Sequence, residues 1–296
     1  MTAAPHGIRS QDLVFTLFGD YLLERDRAVA TGALITLLGQ LGLSAMGVRT
    51  VLSRMTRRGW LTAARRGTRS WYGLTARGRR LLEQGRERIY HPPADSDWDG
   101  AWSVVAYTIP EQRRHLRDAL RVRLSWLGLG SLSNGVWVSP HDVTAPVLAI
   151  AEELRIRRHV EVFRGAHLGM SDDAQLVASC WDLGALDARY AAFIARWRFD
   201  LEHCRHCGMT GSRAGVHRPC TAPADCFRRR FHLVHEYRAF PLDDPYLPAA
   251  LLPRAWHGGT AVRLFQTYHD LLEAPAVRYV AVVCDEHDAA SPSQAA

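Results

Sequence analysis

The chain opens on helical spacing. Val14, Leu17, Phe18, Tyr21 and Leu22 share one face of a helix expected over Ser10–Leu23, and Leu34, Ile35, Leu37, Leu38 and Leu41 share one face of a second, about Thr31–Leu41. Thr31 is expected to cap the second helix, Gly42 to permit a tight turn, and Ser44 to cap a third. In that third helix Val48, Val51, Leu52 and Met55 fall on one side, and Arg49, Thr50, Ser53, Arg54 and Arg57 on the other. After Gly59 the period changes. Trp60–Thr62 and Ser70–Leu74 read as two strands around Arg65-Arg66-Gly67-Thr68-Arg69, whose glycine suits a hairpin tip. With a linking helix over Thr75–Tyr90, this order predicts a winged helix-turn-helix over residues 1–90.

A proline-bearing linker, His91–Asp97, separates this module from an alternating series. The series is a strand Trp102–Ile109, a helix Glu111–Leu127, a turn at Gly128 and Gly130, a strand Asn134–Ser139, a helix Ala145–Arg157 and a strand Val160–Phe163. It predicts a ferredoxin-like domain over 98–170, expected to serve dimerisation. The element order is similar to that of small CRISPR-associated nucleases, but fold alone confers no chemistry. Trp102, Trp126 and Trp137 read as core or dimer-interface aromatics, and no catalytic pair stands out, so no enzymatic activity is expected. Helical spacing returns at Leu183–Arg198 and Phe227–Phe240, in a mainly helical domain over 175–290. The fold class expected overall is α+β.

Composition adds a partner. The 296 residues carry a net charge of +7 that rests wholly on arginine, since the chain contains no lysine. Between Asp26 and Glu83 lie eleven arginines and no acidic residue. A surface of one sign attracts a polyanion by counterion release, which makes double-stranded DNA the first partner to consider. Arginine chelates guanine or clamps phosphate, and hydroxyls serve base edges or backbone. The DNA-contacting set expected is therefore Ser44, Arg49, Thr50, Ser53, Arg54 and Arg57, with Arg65, Arg66 and Arg69 on the hairpin. No apolar run is long enough to span a membrane and no secretory signal is evident, so a cytoplasmic location is expected.

The string from Leu233 to Pro248, Leu-Val-His-Glu-Tyr-Arg-Ala-Phe-Pro-Leu-Asp-Asp-Pro-Tyr-Leu-Pro, followed by Leu251-Leu252-Pro253 and Trp256, closely resembles the PaaX-type repressors of phenylacetate catabolism. So do Phe15–Tyr21, Val48–Met55 and Gly59-Trp60-Leu61 near the other end. The resemblance implies a homodimeric repressor released from a palindromic operator by an aryl-acyl-CoA effector such as phenylacetyl-CoA. His235, Glu236, Tyr237 and Arg238 are consecutive on a helix and point in different directions, which argues against a shared catalytic site. Candidate contacts to the effector are Arg228, Arg229, His235, Arg238, Arg254 and Trp256, with Arg230 a further phosphate partner.

One segment departs from the family pattern. Cys204-Arg205-His206-Cys207 is followed, after twelve residues, by Cys220 and, after five more, by Cys226. Four thiolates at this spacing suit a structural zinc site as the preferred reading and an iron–sulfur cluster as the second, with a dithiol switch or free thiols third. His203, His206 and His217 allow a mixed ligand set, whereas Cys180 and Cys284 read as ordinary buried thiols. An alternative function follows: a metal- or redox-sensing regulator that uses Cys204, Cys207, Cys220 and Cys226 as its sensor.

Overall fold

A computed structural model describes residues 9–25, 27–91, 97–210 and 222–289, without the side chains of 206–210. The chain forms two compact units. One runs to His91 and takes in Ile194–Arg238 and the chain from Thr260; the other holds Pro92–Phe193 and Ala239–Gly259. The helical segment that follows residue 175 is thus divided between them.

In the first unit α1 (Ser10–Leu17) continues into a π-helical turn, Phe18–Leu22, where a single straight helix was expected. A short strand β1 (Val29–Ala30) leads into α2 (Thr31–Gly39) and then α3 (Ala45–Arg57). Thr31 does not cap α2. Ala30 holds the cap position and the Thr31 hydroxyl donates to the Ser70 carbonyl at 2.7 Å, tying the helix to the hairpin. Ser44 does cap α3, its hydroxyl accepting from the Gly47 amide at 3.1 Å. β2 (Leu61–Arg66) and β3 (Arg69–Leu74) pair antiparallel around a two-residue loop, and β1 adds to β3. Gly67 has φ of 59° in that loop, a left-handed conformation that favours glycine. α4 (Ala76–Tyr90) follows, capped by Thr75.

Three further helices belong wholly or partly to this unit: α8 (Leu183–Thr210) from Ile194 onward, α9 (Pro223–Tyr237) and α11 (Gly258–Ala289) from Thr260 onward. α8 runs well past the Arg198 expected from spacing. Phe227 and Phe231 of α9 and Phe265 and Tyr268 of α11 are buried in the core. No helix among the described residues is long and apolar enough to cross a membrane.

The second unit is built on β4 (Ala101–Tyr107), α5 (Arg114–Trp126), β5 (Gly130–Ser133), β6 (Val136–Ser139), α6 (Thr144–Glu153) and β7 (Val160–Ala166), and also holds the short α10 (Phe240–Asp243). Its four strands are antiparallel in the order β5-β6-β4-β7, the arrangement of a ferredoxin-like fold. β5 was missed in the sequence because Gly128 and Gly130 read as a turn, and Asn134–Gly135, expected to begin a strand, is the hairpin loop instead, with Gly135 at φ 87°. Alternation along β4 divides the core. Val105 and Tyr107 face α5 and α6, together with Trp137, whereas Trp102 faces α7 (Asp173–Cys180) and the segment around Leu247 and Leu251. Trp126, grouped with those two tryptophans in the sequence, is 52% exposed.

Candidate nucleic-acid interface

Amphipathic packing fixes the orientation of α3. Val48, Val51, Leu52 and Met55 are buried against α1 and α2, which leaves Arg49, Thr50, Ser53, Arg54 and Arg57 in solvent. Burying four apolar side chains, each worth about 1.5–3 kcal/mol, makes rotation of the helix about its axis costly. Among the described residues none of Arg49, Arg54 and Arg57 has a carboxylate partner. Ser44 lies exposed at the helix start, and Thr50 bonds back to the Met46 carbonyl at 2.9 Å.

The hairpin carries the rest of the expected set. Residues Thr62–Ser70 are all exposed. Arg65 Nε donates to the Gly67 carbonyl at 3.2 Å, Arg66 lies over the Trp71 ring at 5.3 Å, and Arg69 donates to the His287 carbonyl at the end of α11 at 3.4 Å. Near the same end, Asp285 pairs with Arg25 and Arg27 at 3.0 Å. The arginine-rich surface is therefore free on α3 and partly tethered around the hairpin.

The same unit holds a buried charge network that sequence reasoning missed. Asp20, placed by the π-helical turn, accepts from Arg230 of α9 and from the Tyr90 hydroxyl of α4, both at 2.6 Å, while His269 of α11 lies 2.6 Å from Arg230. The Asp20 and Arg230 side chains are only 4% and 3% exposed. Burial alone would raise the Asp20 pKa. His269, the Arg230 guanidinium and the Tyr90 hydroxyl outweigh burial and hold it below its ordinary value. The network joins the first helical segment and α4 to α9 and α11. Its one signal in the sequence is Asp20 itself, an acid beside the apolar stripe that holds Leu17 and Tyr21.

The six expected effector contacts are shared between the two units. Arg228, Arg229, His235 and Arg238 belong to the first unit, Arg254 and Trp256 to the second. Arg228 pairs with Asp225, Arg238 with Asp12 at 3.8 Å, and Arg229 with Asp200 at 4.0 Å and the Cys204 thiol at 3.7 Å. His235 stacks on Phe231 and bonds to Thr16 Oγ1 at 3.0 Å; burial, followed by the nearby Arg238 and His232 charges, pushes its pKa down to about 4. Glu236 accepts from Trp197 at 3.1 Å, and Tyr237 stacks on Phe265 with ring centroids 3.8 Å apart, so the four consecutive residues have separate surroundings. Trp256 packs edge-on against Tyr190, and Arg254 is exposed. Arg230, a further phosphate candidate, is committed to the buried network.

Cys204 and Cys226 are both buried, while the Cys207 side chain and Cys220 lie outside the described residues, as do the His206 side chain and His217. Among the described residues no cluster of three or more His, Cys, Asp or Glu is placed to hold a metal ion. Cys284 is buried and Cys180 half-buried, and burial raises the pKa of both thiols.

Comparison with known proteins covers almost the whole chain. A family model described as PaaX-like protein matches residues 9–78, one for the PaaX protein central Cas2-like domain matches 95–177, and one for the PaaX-like protein C-terminal domain matches 181–282. The transcriptional repressor PaaX of Escherichia coli K12 is 30% identical over 278 residues, 92% of this chain and 83% of that protein. Among solved structures, the uncharacterized protein Rv0674 of Mycobacterium tuberculosis shares the fold, with a TM-score of 0.55 and 22% identity over 93% of this chain and 97% of that one.

Proposed function

The chain belongs to the PaaX family, and on that premise we propose that it is a DNA-binding transcriptional repressor, homodimeric and released from a palindromic operator by an aryl-acyl-CoA such as phenylacetyl-CoA. The observation that carries the DNA-binding reading is the outward face of α3, where Arg49, Arg54 and Arg57 stand in solvent opposite a fully buried apolar face. α3 enters the major groove, Arg49 and Arg54 read base edges or clamp phosphate, and the β2–β3 hairpin lays Arg65 and Arg66 along the backbone. A dimer presents two copies of α3 to half-sites about one helical turn, ~34 Å, apart. The effector acts by preferring the conformation in which the two α3 helices no longer match successive grooves.

Selection of bound fragments from a genomic library tests the reading. A pseudo-palindromic motif should be enriched by the wild type and lost by the Arg49→Ala/Arg54→Ala variant. Folded protein with no sequence preference would overturn it. Adding phenylacetyl-CoA to the complex tests the effector separately, since an unchanged operator affinity removes that part of the proposal. Elemental analysis of protein purified without added metal tests the metal reading of the four thiolates, which fails if neither zinc nor iron is stoichiometric.

A further inference from the structure

We propose that a groove on the second unit, formed by α5, α6 and the turn after α6, binds the phosphate-bearing end of the acyl-CoA effector. The proposal rests on the effector reading above and on a backbone anomaly. α2, α3 and α5 each end in the same paired hydrogen bonds, with Gly42, Gly59 and Gly128 in the left-handed position at φ 87°, 72° and 82°. α6 ends the same way, Ile156 N–H donating to Ala151 at 2.8 Å and Arg155 N–H to Glu152 at 3.0 Å. Its left-handed residue, at φ 56°, is Arg155. Glycine is the residue this conformation favours, and a side chain there is strained. Nothing in the closure of α6 calls for an arginine.

What Arg155 adds is charge at a concave surface. The groove has a volume of about 720 Å³, within the range of small-molecule sites, roughly 300–1,000 Å³. Leu116 and Leu154, partly buried over the core, form an apolar floor, and Arg113, Arg155 and Arg158 stand at the rim. The lining carboxylate, Glu152, pairs with Arg157 at 2.9 Å, which leaves those three guanidinium groups without an acidic partner among the described residues. Arg228, Arg229 and Arg230, by contrast, all have one. Guanidinium forks bind phosphate in bidentate fashion, and a leucine floor receives an adenine or acyl-pantetheine chain. A DNA backbone would use the arginines but leave the floor empty, so an amphipathic organic phosphate is the better match.

The test uses Arg155→Gly, which installs the residue the backbone prefers and removes only the side chain. Calorimetric titration of the full-length protein with coenzyme A and with phenylacetyl-CoA should show at least tenfold weaker binding than the wild type. The urea midpoint should be equal or higher, and operator affinity without ligand unchanged. Arg113→Ala/Arg158→Ala should weaken binding in the same direction. Wild-type CoA affinity in Arg155→Gly overturns the groove, even where phenylacetyl-CoA still releases the operator and the effector reading stands. Wild-type protein that binds CoA through Arg155 yet keeps its operator supports the groove and sinks the effector reading. Weaker operator binding with unchanged CoA binding assigns the arginines to DNA and overturns the proposal, as does a wild type that binds neither compound.

Discussion

Arg54 and Arg230 are the same residue in opposite circumstances. Arg54 stands exposed on α3 with no acidic partner among the described residues; Arg230 is 3% exposed and clasped by Asp20 at 2.6 Å. Water solvates Arg54 fully, so the charge costs the fold little and remains available to a phosphate or a guanine. Arg230 has lost its water and depends on its partners, and Asp20 depends equally on Arg230. Arginine count alone therefore does not measure nucleic-acid affinity. What matters is which guanidinium groups the fold leaves without intramolecular partners.

The sharpest way to break this comparison is to remove the buried partner. Arg230→Met should leave the buried Asp20 with only the Tyr90 hydroxyl and His269 to support its charge and cost about 3–5 kcal/mol of stability, read from urea unfolding. Asp20→Asn/Arg230→Met should recover much of that loss, because the pair is then replaced rather than broken. Arg230→Met with a wild-type midpoint would show that the network bears no weight.

On the exposed side the effect moves from stability to affinity. Arg54→Ala should weaken operator binding by about 1–3 kcal/mol if it reads a base, or lower the salt slope by about one if it contacts phosphate. Its urea midpoint should stay within about 0.5 kcal/mol of the wild type. Fluorescence anisotropy at several salt concentrations separates the two roles. A large loss of stability in Arg54→Ala would erase the contrast with Arg230.

A smaller effect tests the histidine beside the same core. His235 is held down to about 4 in the folded state, against about 6.5 in an unfolded chain. Between those values the unfolded chain binds the extra proton, so stability is level above about pH 6.5, declines as pH falls toward about 4 and then levels off. Asp20 contributes in a separate window. Its pKa is lowered, so its contribution is full above the unfolded carboxylate value, near 4, and is lost only as pH falls through the folded one. His235→Gln should flatten the decline between pH 6.5 and 4 in urea midpoints and leave the more acidic limb intact. An unaltered profile would mean that another group titrates there.

These contrasts were unequally legible in the sequence. The α3 face could be read directly, because burial of Val48, Val51, Leu52 and Met55 at helical spacing dictates where Arg49, Arg54 and Arg57 go. The ferredoxin-like order was legible too, except for β5, whose glycine and serine composition carries no apolar alternation. Arg230 was misjudged as a phosphate partner since its partners, Asp20, Tyr90 and His269, are distant along the chain, and only tertiary packing reveals them. Arg155 carried no local signal either: an arginine after a helix looks ordinary until its φ of 56° is known.

Arg25 and Arg27 lie between the two extremes and set the finest test. Both pair with Asp285 at 3.0 Å, and Arg27 also reaches Asp288 at 3.3 Å. Asp285 is 62% exposed, so an ion pair there is worth less than about 1 kcal/mol, and Asp285→Asn should barely change stability. Near a DNA-binding surface, however, the acid also repels phosphate and occupies cations that a phosphate would otherwise attract. Asp285→Asn should therefore tighten operator binding by less than about tenfold and steepen the salt slope by less than about one, because Asp288 still engages Arg27. Weaker binding would mean that Asp285 instead holds Arg25 and Arg27 in a geometry the operator needs, placing them nearer to Arg230 than to Arg54.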